Sequence, residues 1–241
     1  FLAKVYLSTL KSVSRYAYCK ATWMIKRSKK IFLSVCMLTF VVLFFIVLLF
    51  RFIPIPTTPY MVSEGSISYT WISLDKVSAN VPLAIVAAED ANFCNHWGFD
   101  MKAIRLAIEQ GGNRGASTIS QQVVKNLFLW HERSWIRKFF EAILTPAVEI
   151  AWSKRRILEV YINIAEFDQG IFGIDEASQQ LFGLPASQLS LSEASLLAAV
   201  LPNPKQRSVK NPSLFVQRRA LAISDGASTI LKDERSQCFT D

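Results

Sequence analysis

Histidine and cysteine are scarce in this chain, two and four among 241 residues. His96 and His131 are too few for the usual protein-built zinc sites, and the cysteines show neither metal-ligand spacing nor a disulfide framework. Cys19 precedes a long apolar run and Cys36 lies inside it, so only Cys94 and Cys238 could meet in an oxidising compartment. Strand-type alternation is rare and no internal repeat occurs, so the class is mainly α. Acidic residues are absent from residues 1–30, which carry Lys4, Lys11, Arg15, Lys20, Lys26, Arg27, Lys29 and Lys30. The net charge of +8 therefore belongs to this leader, and the remaining basic and acidic side chains balance. A pI near 9.4 would ordinarily suggest nucleic acid. A charge excess confined to one flank of an apolar run is instead the positive-inside pattern, and no nucleic-acid partner is expected.

What the chain has in abundance is one apolar run. Ile31 to Phe50 is a 20-residue stretch without a charge. At about 1.5 Å per residue it spans roughly 30 Å, the thickness of a bilayer core. A buried core helix is rarely apolar on all faces over such a length. A cleaved signal peptide would have a shorter apolar region and a small-residue cleavage site, whereas RFIPIPTTP follows here. The expected layout is a basic cytoplasmic leader (1–30), a transmembrane helix (31–50), a stiff Pro-rich spacer (51–62), a catalytic domain (63–225) and a C-terminal tail (226–241). Everything beyond Arg51 would lie outside the cytoplasmic membrane.

Past the spacer, MVSEGSISYT reads as a short strand or an extended entry. Pro82 fits the first position of a helix running through LAIVAAEDANF. A second helix covers 100–110 and stops at Gly111–Gly112; a third runs from Ser117 to Leu129. In the third, Ile119, Val123 and Leu127 form an apolar stripe, and Thr118, Gln122 and Lys125 a polar one. A fourth, through IRKFFEAILTPAVEIAW, should kink or break at Pro146. A fifth spans Arg155 to Ile164, and Ser190 with Glu193 forms a capping box for a last clear helix ending before Pro202.

Chemistry concentrates in four blocks. Glu89-Asp90 would ordinarily be a solvated acidic pair, but its apolar flank of Leu83, Ile85 and Val86 places at least one carboxylate against dry surroundings. Such an acid can take or give a proton near neutral pH. Gln121, Gln122 and Asn126 could simply bond neighbouring helices, but Lys125 beside them needs an anion, either Glu89 or a ligand. Arg137, Lys138 and Glu141 fit a surface ion pair or a cationic phosphate clamp with an acid beside it. Asn163, Gly170 and Gly173 read, on their own, as a helix followed by a glycine-permitted turn.

Taken together, AAEDANFCNHWGFD, GASTISQQVVKNLFL, RKFFEAI, RRILEVYINIAEFDQGIFGIDEAS and LSLSEASLLAAVLPNP resemble, in order and spacing, the five motifs of the peptidoglycan glycosyltransferases, glycosyltransferase family 51. The resemblance covers roughly residues 60–210. Cys94 occupies a variable slot, and Leu181 stands where an aromatic commonly precedes Phe182-Gly183. Two S-x-x-K matches, Ser8–Lys11 and Ser73–Lys76, lack a downstream K-T-G, so no penicillin-acylated transpeptidase is expected.

The resemblance implies a lysozyme-like helical lobe with a smaller membrane-proximal lobe, preceded by one transmembrane helix. It implies polymerisation of lipid II into a growing glycan strand by inverting transfer, with release of polyprenyl pyrophosphate. Glu89 would be the general base and Glu141 the second acid. Lys125, Arg137 and Lys138 would neutralise the leaving phosphates. Ser117, Thr118, Gln122 and Asn126 would line the cleft, and Asp90, Phe93 and His96 would complete the substrate site by positioning Glu89. A divalent cation, Mg²⁺ or Mn²⁺, is implied at the pyrophosphate, with Glu141 as the one protein group near it. Transpeptidases and division or elongation proteins are open as partners at the cytoplasmic (inner) membrane. A glycan hydrolase would also use two carboxylates but has no leaving anion to clamp, and a non-catalytic scaffold would need neither Glu89 nor Glu141.

Overall fold

Lys26 to Phe50 forms one continuous apolar helical segment with mean hydropathy 3.1, long enough to cross a membrane. It belongs to α1 (Leu2–Phe50), and Phe32, Met37 and Phe40 along it are exposed, as side chains meant for lipid would be. The computed structural model describes residues 2–65, 67–111, 115–130, 132 and 134–240, with side chains from residue 23 onward except Ile25. Gly112 of the expected helix stop, His131, and the side chains of Lys4, Lys11, Arg15 and Lys20 lie outside the described set. The chain divides into two units, Phe1–Leu49 and Phe50–Asp241.

The second unit is helical, in keeping with the expected mainly α class. The segment read as a stiff Pro-rich spacer is packed onto it. Ile55 is fully buried, Tyr69 donates its hydroxyl to the Ile55 carbonyl at 2.5 Å, and Arg156 binds the carbonyls of Phe50 and Ile53. Thr58 then caps α2 (Pro59–Glu64), so the first residues of the stretch read as a short strand or extended entry are helix, and β1 (Ser68–Tyr69) follows as a strand. The helix α3 (Asn80–Glu89) begins two residues before Pro82; the proline remains in the first turn, where its missing N–H has no intrahelical partner to lose. Next come α4 (Met101–Glu109), capped by Asp100, and α5 (Ile119–Phe128), capped by a Thr118–Gln121 box.

Of the kink or break expected at Pro146, the break does not occur: α6 (Trp135–Ala151) runs continuously through it. Thr145, Val148 and Glu149 on either side of it are buried, and α6 packs against α5 and α7 (Lys154–Ile164), so tertiary packing holds the two halves in one helix. After α7, β2 (Glu166–Asp168) and β3 (Ile171–Phe172) complete a small sheet in the order β1-β3-β2; β1 is parallel and β2 antiparallel to β3. Gly173 turns the chain at φ +83°, where a Cβ would lie 2.9 Å from the Asn163 carbonyl, so only glycine fits. α8 (Ile174–Phe182) and α9 (Leu191–Val200) follow, α9 with the expected capping box.

The C-terminal segment is not a tail. α10 (Leu214–Lys232) runs through the expected boundary at 225/226 and packs against both α3 and α9, burying Val216, Ile223, Ala227 and Ile230. The short α11 (Gln237–Thr240) buries Phe239 against Phe93, with ring centroids 6.4 Å apart. Cys238 of α11 and Cys94 form a disulfide closing a separation of 144 residues. Replacing Cys238 with Ala should lower stability by about 2–5 kcal/mol. The expected readout is a fall in Tm that a reductant reproduces in the wild type and does not deepen in the variant.

Candidate active site

The site is built where α3 ends beside the start of α5. Glu89 is the last residue of α3 and Asp90 its cap. Asp90 is buried and holds two elements together. Its Oδ2 accepts from the Ile119 N–H at 3.1 Å, at the N-terminus of α5, and its Oδ1 lies 2.9 Å from His96 Nε2. The carboxylate thereby joins an unpaired helix N–H and the positive end of the α5 dipole. Thr118 donates to the Gly98 carbonyl at 2.7 Å while capping α5, and Gly98 itself, at φ +83°, leaves no room for a Cβ against Thr145. Phe93 is completely buried beneath this loop.

With the backbone so fixed, Glu89 is positioned from α5. The Gln122 side-chain amide donates to Glu89 Oε2 at 2.7 Å, and the Tyr161 hydroxyl of α7 donates to Gln122 Oε1 at 3.2 Å, fixing the amide's orientation. Glu89 Oε1 is buried with no hydrogen-bond partner. Burial pushes the Glu89 carboxyl above its ordinary range. Gln122, Arg219 and Lys125 pull the other way, and Asp90 adds to the rise. The result is a carboxylate with one oxygen anchored, one free, and a raised proton affinity, the properties of a general base.

Beside this acid opens a cleft of about 530 Å³. Ser117, just before α5, and Gln122, Lys125 and Asn126 of α5 line it with Arg137, Lys138 and Glu141 from α6. Glu141 is 3% exposed, and Lys138 Nζ donates to its Oε1. The pair is therefore not the solvated surface bridge its spacing allows. Lys125 makes no ion pair within 4 Å among the described residues. Desolvation pushes its pKa down; Glu141 opposes this more strongly than Glu89 does, while Arg137 and Lys138 add to the fall. Three cations and one carboxylate thus line the same cleft, and the Arg137 Nε is buried without a partner among the described residues. Such a surplus suits a multiply charged anion.

Thr118, expected in the lining, stands outside it with Asp90, Phe93 and His96, expected to complete the substrate site by positioning Glu89; the four build the loop and helix start behind the cleft. Glu89 also stands behind Gln122 rather than in the lining. Motif reading missed the rest of the lining, made by Tyr60, Tyr161, Glu166 and Lys205 with the 201–204 turn. There Tyr60 donates its hydroxyl to Glu166, and Lys205 pairs with Glu64 at 2.6 Å. Tyr60 sits in the stretch read as spacer, which hid it. Glu166 and the LPNP turn lay inside quoted motifs but carried no charge pattern that singled them out.

The family model described as Transglycosylase matches residues 60–231, and the chain belongs to that family. Among curated relatives, a biosynthetic peptidoglycan transglycosylase of Jannaschia sp. (strain CCS1) is 53% identical over 193 residues, 78% of this chain and 81% of the relative. One from Cronobacter sakazakii is 51% identical over 188 residues, 72% and 78% of the two chains. One from Pasteurella multocida is 44% identical over 247 residues, 96% of this chain and 99% of the relative. By family, the chain is an enzyme of glycosyl transfer.

Proposed function

We propose that this chain is a membrane-anchored peptidoglycan glycosyltransferase that polymerises lipid II. The observation that carries the proposal is the pairing of a dry carboxylate, Glu89, with the cationic wall of Lys125, Arg137 and Lys138 around Glu141. Glu89 Oε1 takes the proton from the 4-hydroxyl of the acceptor sugar. That oxygen forms a bond to the donor's anomeric carbon with inversion, and the bond to the lipid pyrophosphate breaks. The electron pair leaves on the pyrophosphate, which the three cations receive. A glycan hydrolase releases a sugar hydroxyl and would leave this wall without a charge to meet.

A divalent cation fits only as a shared ligand. Among the described residues no cluster of three or more metal-binding side chains exists. Glu141 can offer carboxylate oxygens and the pyrophosphate the rest, which is how Mg²⁺ commonly binds. Such an ion would supply further neutralisation of the leaving group.

The anchoring helix, with its basic leader, supports a single-pass arrangement with the N-terminus in the cytoplasm and the catalytic unit outside the inner membrane. A disulfide between Cys94 and Cys238 suits that oxidising side. Trp135, Ile136, Phe139, Ile143 and Ile150 leave α6 with a broad exposed apolar surface, suited to the lipid that carries the substrate. Transpeptidases and division or elongation proteins are the natural partners for a product that must be cross-linked.

The test is polymerisation of fluorescent lipid II by the detergent-purified protein with Mg²⁺ or Mn²⁺, products sized on a gel. The expected result is a ladder of strands with one polyprenyl pyrophosphate released per disaccharide added. Cleavage of preformed glycan without polymerisation would contradict the proposal.

A further inference from the structure

The C-terminal helix α10 brings a charge to the catalytic acid. Gly226 lies in the helix interior, where glycine is less favourable than alanine. A Cβ there would meet the Cβ of Ala87 at 3.4 Å, so α10 and the end of α3 approach closely. Two turns earlier, Arg219 reaches the same end of α3. Its Nη2 lies 3.4 Å from the Ala88 carbonyl and 3.9 Å from Glu89 Oε1. That second distance is an ion pair but too long for a hydrogen bond.

We propose that Arg219 is a positioning residue for the base: it holds Glu89 ionised through space while leaving the Oε1 lone pairs free for the acceptor hydroxyl. The two groups are matched in what they lack. Glu89 Oε1 and Arg219 Nε are both buried without hydrogen-bond partners. A direct bidentate pair would satisfy them but would occupy the oxygen that must accept the proton and weaken it as a base. Standing off keeps the favourable field of the cation without that loss. This inference rests on the assignment of Glu89 as base.

Other groups face Glu89 as well. Gln122 and Lys125 come from α5, Asp90 from the adjoining cap and Tyr161 from α7. Arg207, in the segment after α9, is a further cation near it, held by the Ala199 carbonyl at 3.0 Å. Of the charged groups, Arg219 acts on Glu89 most strongly, ahead of Lys125.

The experiment is the pH dependence of kcat/KM for lipid II in the full-length wild type, Arg219→Gln and Arg219→Lys. Losing a cation makes the acid harder to ionise, so the acid limb of Arg219→Gln should move up by about one pH unit, the low end for a charge at this range because the guanidinium is partly exposed. Well above the limb, its kcat/KM should return to within about threefold of wild type. Arg219→Lys should keep the wild-type limb. A plateau lowered without movement of the limb, or a shifted limb in folded Arg219→Lys, would overturn the role; if Arg219→Gln does not fold, the Lys variant decides alone. A wild type that does not polymerise lipid II would instead overturn the functional reading beneath it.

Discussion

Glu89→Gln should lose about 10³-fold in kcat/KM for lipid II polymerisation, within the range for loss of a general base, while remaining folded. The amide keeps the volume and can still accept from Gln122 Nε2, which now bonds Glu89 Oε2 at 2.7 Å. What it cannot do is take a proton. The variant should also melt no lower than wild type, and the sign follows from burial. The folded-state pKa of Glu89 is raised above its unfolded value. Its ionised form therefore costs stability at pH values above the folded pKa. That cost shrinks as pH falls toward the unfolded pKa and is absent below it. Removing the charge relieves the cost at neutral pH, so activity and stability should move in opposite directions. Polymer yield equal to wild type would remove Glu89 as the base.

Lys125→Ala should lower kcat/KM by about 10²–10³-fold, the usual effect of deleting one preorganised group that meets developing charge. Its Tm should not fall with it. Lys125 has no carboxylate within ion-pair distance among the described residues, and its pKa is depressed, chiefly by desolvation. A protonated lysine with a depressed pKa costs stability below its folded pKa, and the cost disappears as pH rises to the unfolded value. The ammonium is thus held in place at a loss to the fold, as expected of a group awaiting an anion. Kinetic measurements alongside melting curves separate the roles. Parallel losses of rate and Tm would mark Lys125 as structural.

How much of this was readable beforehand differs by residue. Thr118 and Ser190 announced their helices because capping is local: the hydroxyl and the third-position Gln121 or Glu193 lie within one turn. The α5 stripe of Ile119, Val123 and Leu127 is buried as its period required, and Gln122 and Lys125 face the cleft. By contrast, α10 carries Gly226 and several serines and threonines, so its local propensity is weak; long-range packing on α3 and α9 makes it a helix. The same distance in sequence concealed Arg219 and the Tyr60–Glu166 contact, whereas Cys94 and Cys238, left by elimination as the two that could meet, are bonded. The helix expected over 100–110 is α4, yet only Ala107 of it is buried, while Leu106 and Ile108 are exposed. Asp90 and His96, which the motif resemblance marks as positioning Glu89, are bonded to each other, and Asp90 ties the end of α3 to the start of α5.

The central claim is that one desolvated carboxylate must lose its proton before chain growth can start. Its most direct test is the pH dependence of kcat/KM for lipid II in the wild-type enzyme. The expected profile falls tenfold per pH unit on the acid side, through a single group titrating above the ordinary glutamate value of about 4.3. A rate that stays level down through that ordinary range would contradict it.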